Sequence, residues 1–533
     1  MRNALSRRRF VLTGTGALGT LLLAACGAAA TPTPAPAKPA EAPKPTEAPK
    51  PAEAAKPTEA PKPAAAEPTK PAAAAAAAPT NTAAPAKPTE AAKPAAPTKP
   101  AAAAEAKPTP PPSYTIQGKG QAELLWQMSA SDFWISSTAK VLPSFLESPA
   151  ASKIKSVTLQ PTPDDWINKL VASMVAGTAP DMFDMWGDIM PPFVERGQVT
   201  DMEPYVKRDL KPEDIKDFYE WQWRDFVMPW LNNIRFGMPR YVNIMFTWYR
   251  KDFFDQVGLK YPTLEWTHDD YADAARKLTK KEGGRTTRWG LHYPVYWWDR
   301  YWYKPVIWGG GTVDPKDNTK AIFGEEKALA AFEWTRKLTW DEGVMLPPLE
   351  IQRQFSPQHW PSGKFAMNEE GIYPFEMDDY VQGKFPWAYQ HTPKGPTGQR
   401  KVLGTTDGYS LWKGSKKQDE AWELMKWAFG PVNQLEVVVK GAGRVPIRHS
   451  VLKQWESEVV KARPNLKDVN LKVAVEAMEM GYPSGREFFK DNIAAEQLIA
   501  PALEKVFVVG GTPVSYFKDV ADQVTKAQAG GRR

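Results

Sequence analysis

The chain of 533 residues predicts an α/β fold divided into lobes, carried by its last 420 residues. Three observations lead there. From residue 122 to 186 short apolar runs alternate with stretches of helical spacing in β-α-β-α-β order, the order of a parallel sheet with helices on both faces. The foldable part is longer than the roughly 300 residues one hydrophobic core holds, so it divides. And the composition changes abruptly at Tyr114: all 22 Trp and all aromatic residues except Phe10 lie beyond it.

The residues before Tyr114 stand outside that fold. Arg2, Arg7, Arg8 and Arg9 precede an apolar run over 11–25, which is short of the about 20 residues that span a bilayer. Ser6-Arg7-Arg8-Arg9-Phe10-Val11 resembles the twin-arginine export motif, with Arg7 and Arg8 as its pair. Leu23-Ala24-Ala25-Cys26 resembles a bacterial lipobox, which implies cleavage of a signal peptide (1–25) and acylation of Cys26. Two or three acyl chains at about 0.8 kcal/mol per buried CH2 make a stable anchor. Cys26 is the only cysteine, so no internal disulfide is available to the mature chain. Residues 27–113 contain 34 Ala and 23 Pro but no aromatic and no Leu, Ile, Val or Met. They bury nothing to offset ordering entropy, and 26–113 reads as an acylated Cys and a disordered tether. The expected location is the outer face of a bacterial cytoplasmic membrane, lipid-anchored, at the cell surface or in the periplasm.

Along the folded part, 122–128 has strand character, 136–145 helical spacing, and 156–159 strand character again. Residues 164–176 form the next helix, with Asp164 as its cap and Gly177-Thr178-Ala179-Pro180 as its end, and 181–186 is the third strand. Further on, 243–249 reads as a strand and 267–280 as a helix capped at Thr267. Helices follow at 325–342, 417–429, 433–439, 494–508 and 514–528.

Charge excludes more than it suggests. The net charge of +7 invites nucleic acid or an acidic surface as partner. Yet residues 1–25 carry +4 and 27–113 carry +3, leaving 54 basic and 54 acidic residues in 114–533. The folded part is neutral, and no nucleic acid is expected. The five His form no metal-ligand pair, Gly309-Gly310-Gly311 lacks the Lys-Ser/Thr of a phosphate loop, and no Gly-x-Ser-x-Gly elbow occurs. No metal, no cofactor and no catalytic residue are expected.

Four blocks then carry a resemblance. They are Lys169-Leu170 with Ala176-Gly177-Thr178-Ala179-Pro180-Asp181; Gly237-Met238-Pro239 with Trp248-Tyr249-Arg250-Lys251-Asp252-Phe253-Phe254; Ser362-Gly363-Lys364-Phe365-Ala366-Met367; and Gly408-Tyr409-Ser410 with Ala421-Trp422-Glu423-Leu424-Met425-Lys426-Trp427 and Arg444-Val445-Pro446. In this order they resemble the family 1 extracellular solute-binding proteins, the maltose-binding-protein-like carriers of ABC sugar importers. Arg250 departs from the Asn usual there. The resemblance implies a type II periplasmic-binding-protein fold with discontinuous lobes, a hinge and an interlobe cleft. Lobe 1 would comprise 114–240 plus 405–441, and lobe 2 241–404 plus 442–533. It also implies a monomer that binds a small solute and docks on ABC permease subunits.

Cleft residues are expected in loops at strand ends. On the first lobe these are Trp126, Asp132 and Trp134, then Trp186 and Asp188, with Trp186 at the family's sugar-stacking position. Tyr241, Asp407 and Arg444 flank the crossings. On the second lobe Glu370 and Tyr373 follow a strand, and Phe488 lies in a late aromatic loop. Residues 296–303 hold six aromatics in eight, with Trp297, Trp298, Asp299 and Trp302 as candidates. Rings interleaved with acids suit a sugar, whose C–H face stacks on aromatics while polar groups take its hydroxyls. The expected function is carbohydrate capture for import. The alternatives are the same fold binding another solute, such as a polyol phosphate or a peptide-like ligand, or a secreted glycoside hydrolase with two cleft carboxylates.

Overall fold

The structure, a computed structural model, describes residues 112–530 apart from 130, 164, 294, 296–302, 351–355 and 405–406, and apart from the side chains of 188, 356 and 357. All belong to the unit Ala102–Arg533. The signal segment with Arg7 and Arg8, the lipidation site Cys26, most of the tether, and Trp297, Trp298, Asp299 and Trp302 lie outside the described residues.

Two mixed sheets organise the fold. The first runs in the order Tyr114–Gln117, Ile154–Pro161, Ala122–Met128, Met182–Trp186, Asp407–Leu411, Met238–Pro239. Its three expected strands are parallel neighbours. The helices Asp132–Leu146 and Trp166–Ala176 make the two crossovers between them. The second of these helices stops at Gly177, whose φ of +75° is the left-handed conformation that costs glycine least. Its N-cap is Asp165, whose side chain makes no capping hydrogen bond; the expected cap, Asp164, lies outside the described residues.

To the parallel strands expected from the β-α-β-α-β order the structure adds antiparallel ones. Asp407–Leu411 returns from far along the chain to pair antiparallel with Met182–Trp186, placing Asp407 opposite Trp186. Close packing there requires glycine: a Cβ on Gly408 would lie 2.2 Å from the Phe226 ring and 2.6 Å from the Met238 carbonyl oxygen. The edge strand Tyr114–Gln117, which sequence periodicity did not reveal, pairs antiparallel with Ile154–Pro161.

The second sheet runs Trp387–Gln390, Met245–Arg250, Phe365–Gly371, Arg285–His292, Lys280–Glu282. Met245–Arg250 and Phe365–Gly371 are buried at every position, so they carry no alternation of apolar and polar residues. The helix His268–Leu278 packs on this sheet and begins with the expected cap: Thr267 Oγ1 accepts from the Asp270 N–H, and the Asp270 carboxylate accepts in return. Two of the expected helices, 325–342 and 494–508, turn π-helical near their ends over Lys337–Asp341 and Glu504–Val509, and the expected helix 433–439 is π-helical over Gln434–Val439.

The chain crosses between the sheets after Pro239, before Asp407 and near Val445. Bridges tie the crossings together, Val242 to Val445 and Ile244 to Gly404. Buried Gln434 clamps two of them: its Nε2 donates to the Arg240 carbonyl at 2.9 Å and its Oε1 accepts from the Ile447 N–H at 3.0 Å.

Tryptophan serves the core before it serves any cleft. Trp126, Trp248, Trp360, Trp422 and Trp455 are wholly buried, each removing roughly 200 Å2 from water. Trp186 is the only exposed tryptophan among the described residues. No helix among them is long and apolar enough to cross a membrane.

Candidate functional site

The strand Met182–Trp186 places Asp184 and Trp186 on one face, two residues apart. At this end of the first sheet lies a cavity of about 420 Å3 lined by Trp166, Trp186, Asp184, Arg240, Tyr241 and Asp407, with Ser129, Asp165 and the 162–163 turn at its rim. Trp186 is 45% exposed, and Trp166 meets it edge-to-face, with centroids 5.1 Å apart and planes at 69°. The two rings form an aromatic corner open to solvent.

Behind the corner the polar groups are fixed. Asp184 accepts from the Trp126 indole N–H at 3.0 Å, from the Ser129 N–H at 2.8 Å and from Arg240 Nη1 at 2.7 Å. Arg240 Cζ lies over the Trp134 ring, 4.0 Å from its centroid, and that ring stacks on Tyr241. Burial works most strongly against the Arg240 charge, but Asp184 together with Tyr409, Tyr241 and Asp407 outweighs it and raises the guanidinium pKa. The Tyr241 hydroxyl donates to Asp407 Oδ2. Burial, then the Asp407 charge, pushes the Tyr241 phenol well above its ordinary pKa, so it remains a donor.

The expected site residues separate into three groups. Trp186, Tyr241 and Asp407 line the cavity. Trp126 and Trp134 lie beneath it, both buried, one holding Asp184 and the other supporting Arg240. The rest sit elsewhere. Asp132 is exposed in the first turn of its helix, and Phe488 is half-buried beside Trp230. Glu370 is wholly buried within its strand, accepting from the Gly371 N–H. Tyr373 accepts from Asn243 Nδ2 at 2.8 Å. Arg444 pairs with Glu376, donates to the Ile372 carbonyl, and lies against the Tyr373 and Tyr241 rings, which makes it a strut of the crossing region. Asp188 falls in the turn Gly187–Ile189, its side chain outside the described residues.

Sequence reasoning missed Asp184, Arg240 and Trp166. A carboxylate inside the apolar run Met182-Phe183-Asp184-Met185-Trp186 was the available signal, because a buried acid in a strand demands a partner. Arg240 beside Pro239 was the complementary one.

On the second sheet the loop after residue 293 was expected to face a ligand. Its described end, Lys304, instead enters the core: 1% exposed, with Nζ 2.7 Å from His268 Nε2 and 2.8 Å from Glu369 Oε1. His268 Nδ1 faces the Lys394 carbonyl at 2.9 Å, so that nitrogen carries the proton and Nε2 accepts from the lysine. Burial, then the neighbouring Lys304 charge, holds His268 neutral. The void left there is about 10 Å3, at the lower limit for one water. Among the described residues no three His, Cys, Asp or Glu side chains converge as metal ligands.

Comparison with known proteins places this geometry. The family model described as bacterial extracellular solute-binding protein matches residues 151–435. Curated relatives from Brucella abortus and Brucella suis are 26% identical over 271 residues, 50% of this chain and 62% of their own length. The chain thus spans less than two thirds of the relatives it matches. An ABC substrate-binding protein of Listeria monocytogenes, solved with cycloalternan, superposes with a TM-score of 0.64 at 21% identity, covering 77% of this chain and 99% of that one. The sugar-binding protein MalE of Xanthomonas citri gives 0.61 at 18%, covering 76% and 98%. These likenesses establish the two-lobed α/β fold of the solute-binding proteins.

Proposed function

The chain belongs to the bacterial extracellular solute-binding family, and from that premise we propose that it captures a carbohydrate in the cleft of the first sheet and delivers it to the permease of an ABC importer. The observation that carries the carbohydrate is the exposed corner of Trp186 and Trp166 beside the Tyr241–Asp407 pair. A sugar has apolar C–H faces and a polar rim, and this wall offers rings for the first and fixed donors and acceptors for the second. Similar structures hold cycloalternan, mannotriose and maltose, which supports the same class of ligand here.

Lobe 1 is taken as 114–240 with 405–441, and lobe 2 as 241–404 with 442–533; ligand bridging them favours a closed state by hinge motion. Members of the family act outside the cytoplasm. In keeping with that, the chain is a monomeric lipoprotein, exported through its Arg7-Arg8 pair and held by Cys26. It acts as a carrier and not as an enzyme.

The test is a thermal-shift screen of the purified chain against mono- and oligosaccharides, amino acids and peptides. A sugar at about 100 times its Kd stabilises the chain by roughly 2.7 kcal/mol. A shift with peptides or amino acids and none with sugars sinks the carbohydrate reading. The anchor is tested separately: Cys26→Ser releases the protein from carbonate-washed membranes, and retention there rejects it.

A further inference from the structure

Arg240 is 4% exposed and fixed from several sides. Its N–H donates to the Asp407 carbonyl at 2.9 Å, its carbonyl accepts from Gln434, one guanidinium nitrogen is spent on Asp184, and its Cζ lies over the Trp134 ring. The opposite edge is unused: Nε and Nη2 have no hydrogen-bond acceptor among the described residues, although Arg240 lines the cavity. The Tyr409 hydroxyl lies within hydrogen-bonding reach of the guanidinium, while Nε and Nη2 are buried and keep no acceptor among the described residues. Nε–H and Nη2–H lie parallel on one edge and suit a pair of adjacent oxygens. A buried donor left unmade is costly, so this edge is built for something that enters the cavity.

The charge of that something follows from Asp184. Its carboxylate cancels the Arg240 charge, and its own oxygens are occupied by Trp126, Ser129 and Arg240. Asp407 and Asp165 add carboxylates to the same cavity. A wall of one paired cation and two further acids repels anions.

We propose that Arg240 determines specificity at this site: Nε–H and Nη2–H donate to two neighbouring oxygens of an uncharged sugar ring seated in the Trp166–Trp186 corner, and the Arg240–Asp184 pairing makes the cleft reject uronate and phosphorylated sugars. The proposal rests on the carbohydrate reading and deepens it. Asp184 acts as a positioning residue that also neutralises.

Calorimetric titration of the full chain tests it, with maltotriose, mannotriose and cellotriose as neutral probes and trigalacturonate and glucose 6-phosphate as anionic ones. At least one neutral probe binds the unaltered protein, and both anions bind at least about ten-fold more weakly, a preference no variant is needed to see. Arg240→Lys keeps the charge but loses the two-pronged edge, and weakens the neutral probe by about ten-fold or more. Asp184→Asn exposes the charge and raises trigalacturonate affinity by about ten-fold, an effect that a purely structural role would not produce. Equal binding of the neutral probe by Arg240→Lys and the unaltered chain overturns the inference, as does a preference of the unaltered chain for trigalacturonate. Silence toward every sugar, neutral and anionic, overturns the carbohydrate reading itself.

Discussion

Two polar clusters sit at the ends of the two sheets, and they are finished differently. Around Lys304 the ammonium donates to both the His268 imidazole and the Glu369 carboxylate, with the Tyr293 and Trp334 rings 4.5 and 4.8 Å from Nζ and almost no void. Around Arg240 the ion pair is equally buried, but it lines a cavity of about 420 Å3 with two donors unused among the described residues and an exposed indole beside it. Burial and charge alone do not mark a binding site. Unused hydrogen-bonding capacity facing open volume does, because only that capacity is left for a ligand.

The contrast breaks first at Lys304. Replacing it with Met leaves Glu369 buried and unpaired, and unfolding in denaturant shows a loss of about 3–5 kcal/mol. Ligand affinity of the folded fraction stays unchanged; a loss of affinity without loss of stability would move the binding wall to the second sheet. A pH titration sharpens the same side. Burial holds His292 at a pKa of about 4 against an ordinary 6.5, while its Nδ1 faces Asn368 Oδ1 at 2.8 Å. A depressed pKa contributes stability that is full above 6.5 and lost as pH falls through 4, about 3 kcal/mol at most. His292→Gln removes about one proton from the slope of stability across that window; an unchanged slope rejects this origin.

On the first sheet the order of effects inverts. Trp186→Ala costs about ten-fold in sugar affinity, roughly 1.4 kcal/mol, and leaves unfolding within about 0.5 kcal/mol of the parent, because the ring is already in water. Large destabilisation with unchanged affinity would make Trp186 a core residue. Tyr241→Phe removes the donor to Asp407 and lowers stability by about 1 kcal/mol, read by the same unfolding experiment.

How far the sequence could be read follows the same division. The helices and the three parallel strands were legible because their apolar spacing is local. Asp407–Leu411 was not placed in the first sheet, since its partner Met182–Trp186 lies more than 200 residues away and both are buried on both faces. That Trp186 lines the cavity follows from its strand-end position, and that Tyr241 and Asp407 do follows from their places at the crossings. Trp126 and Trp134 looked identical to ligand-stacking rings, because residue type does not tell a ring on the wall from the ring behind it. Arg240 was invisible for a related reason: its role depends on which of its nitrogens are already taken, and that is a property of the assembled wall.

The most direct measurement is a crystal structure of the chain with the neutral sugar that gives the largest thermal shift. The account predicts a sugar ring on the Trp186 face, crossed by Trp166, with two oxygens within 3.2 Å of Arg240 Nε and Nη2. A sugar seated against Lys304 and Glu369, or one leaving both Arg240 donors unused, would contradict it.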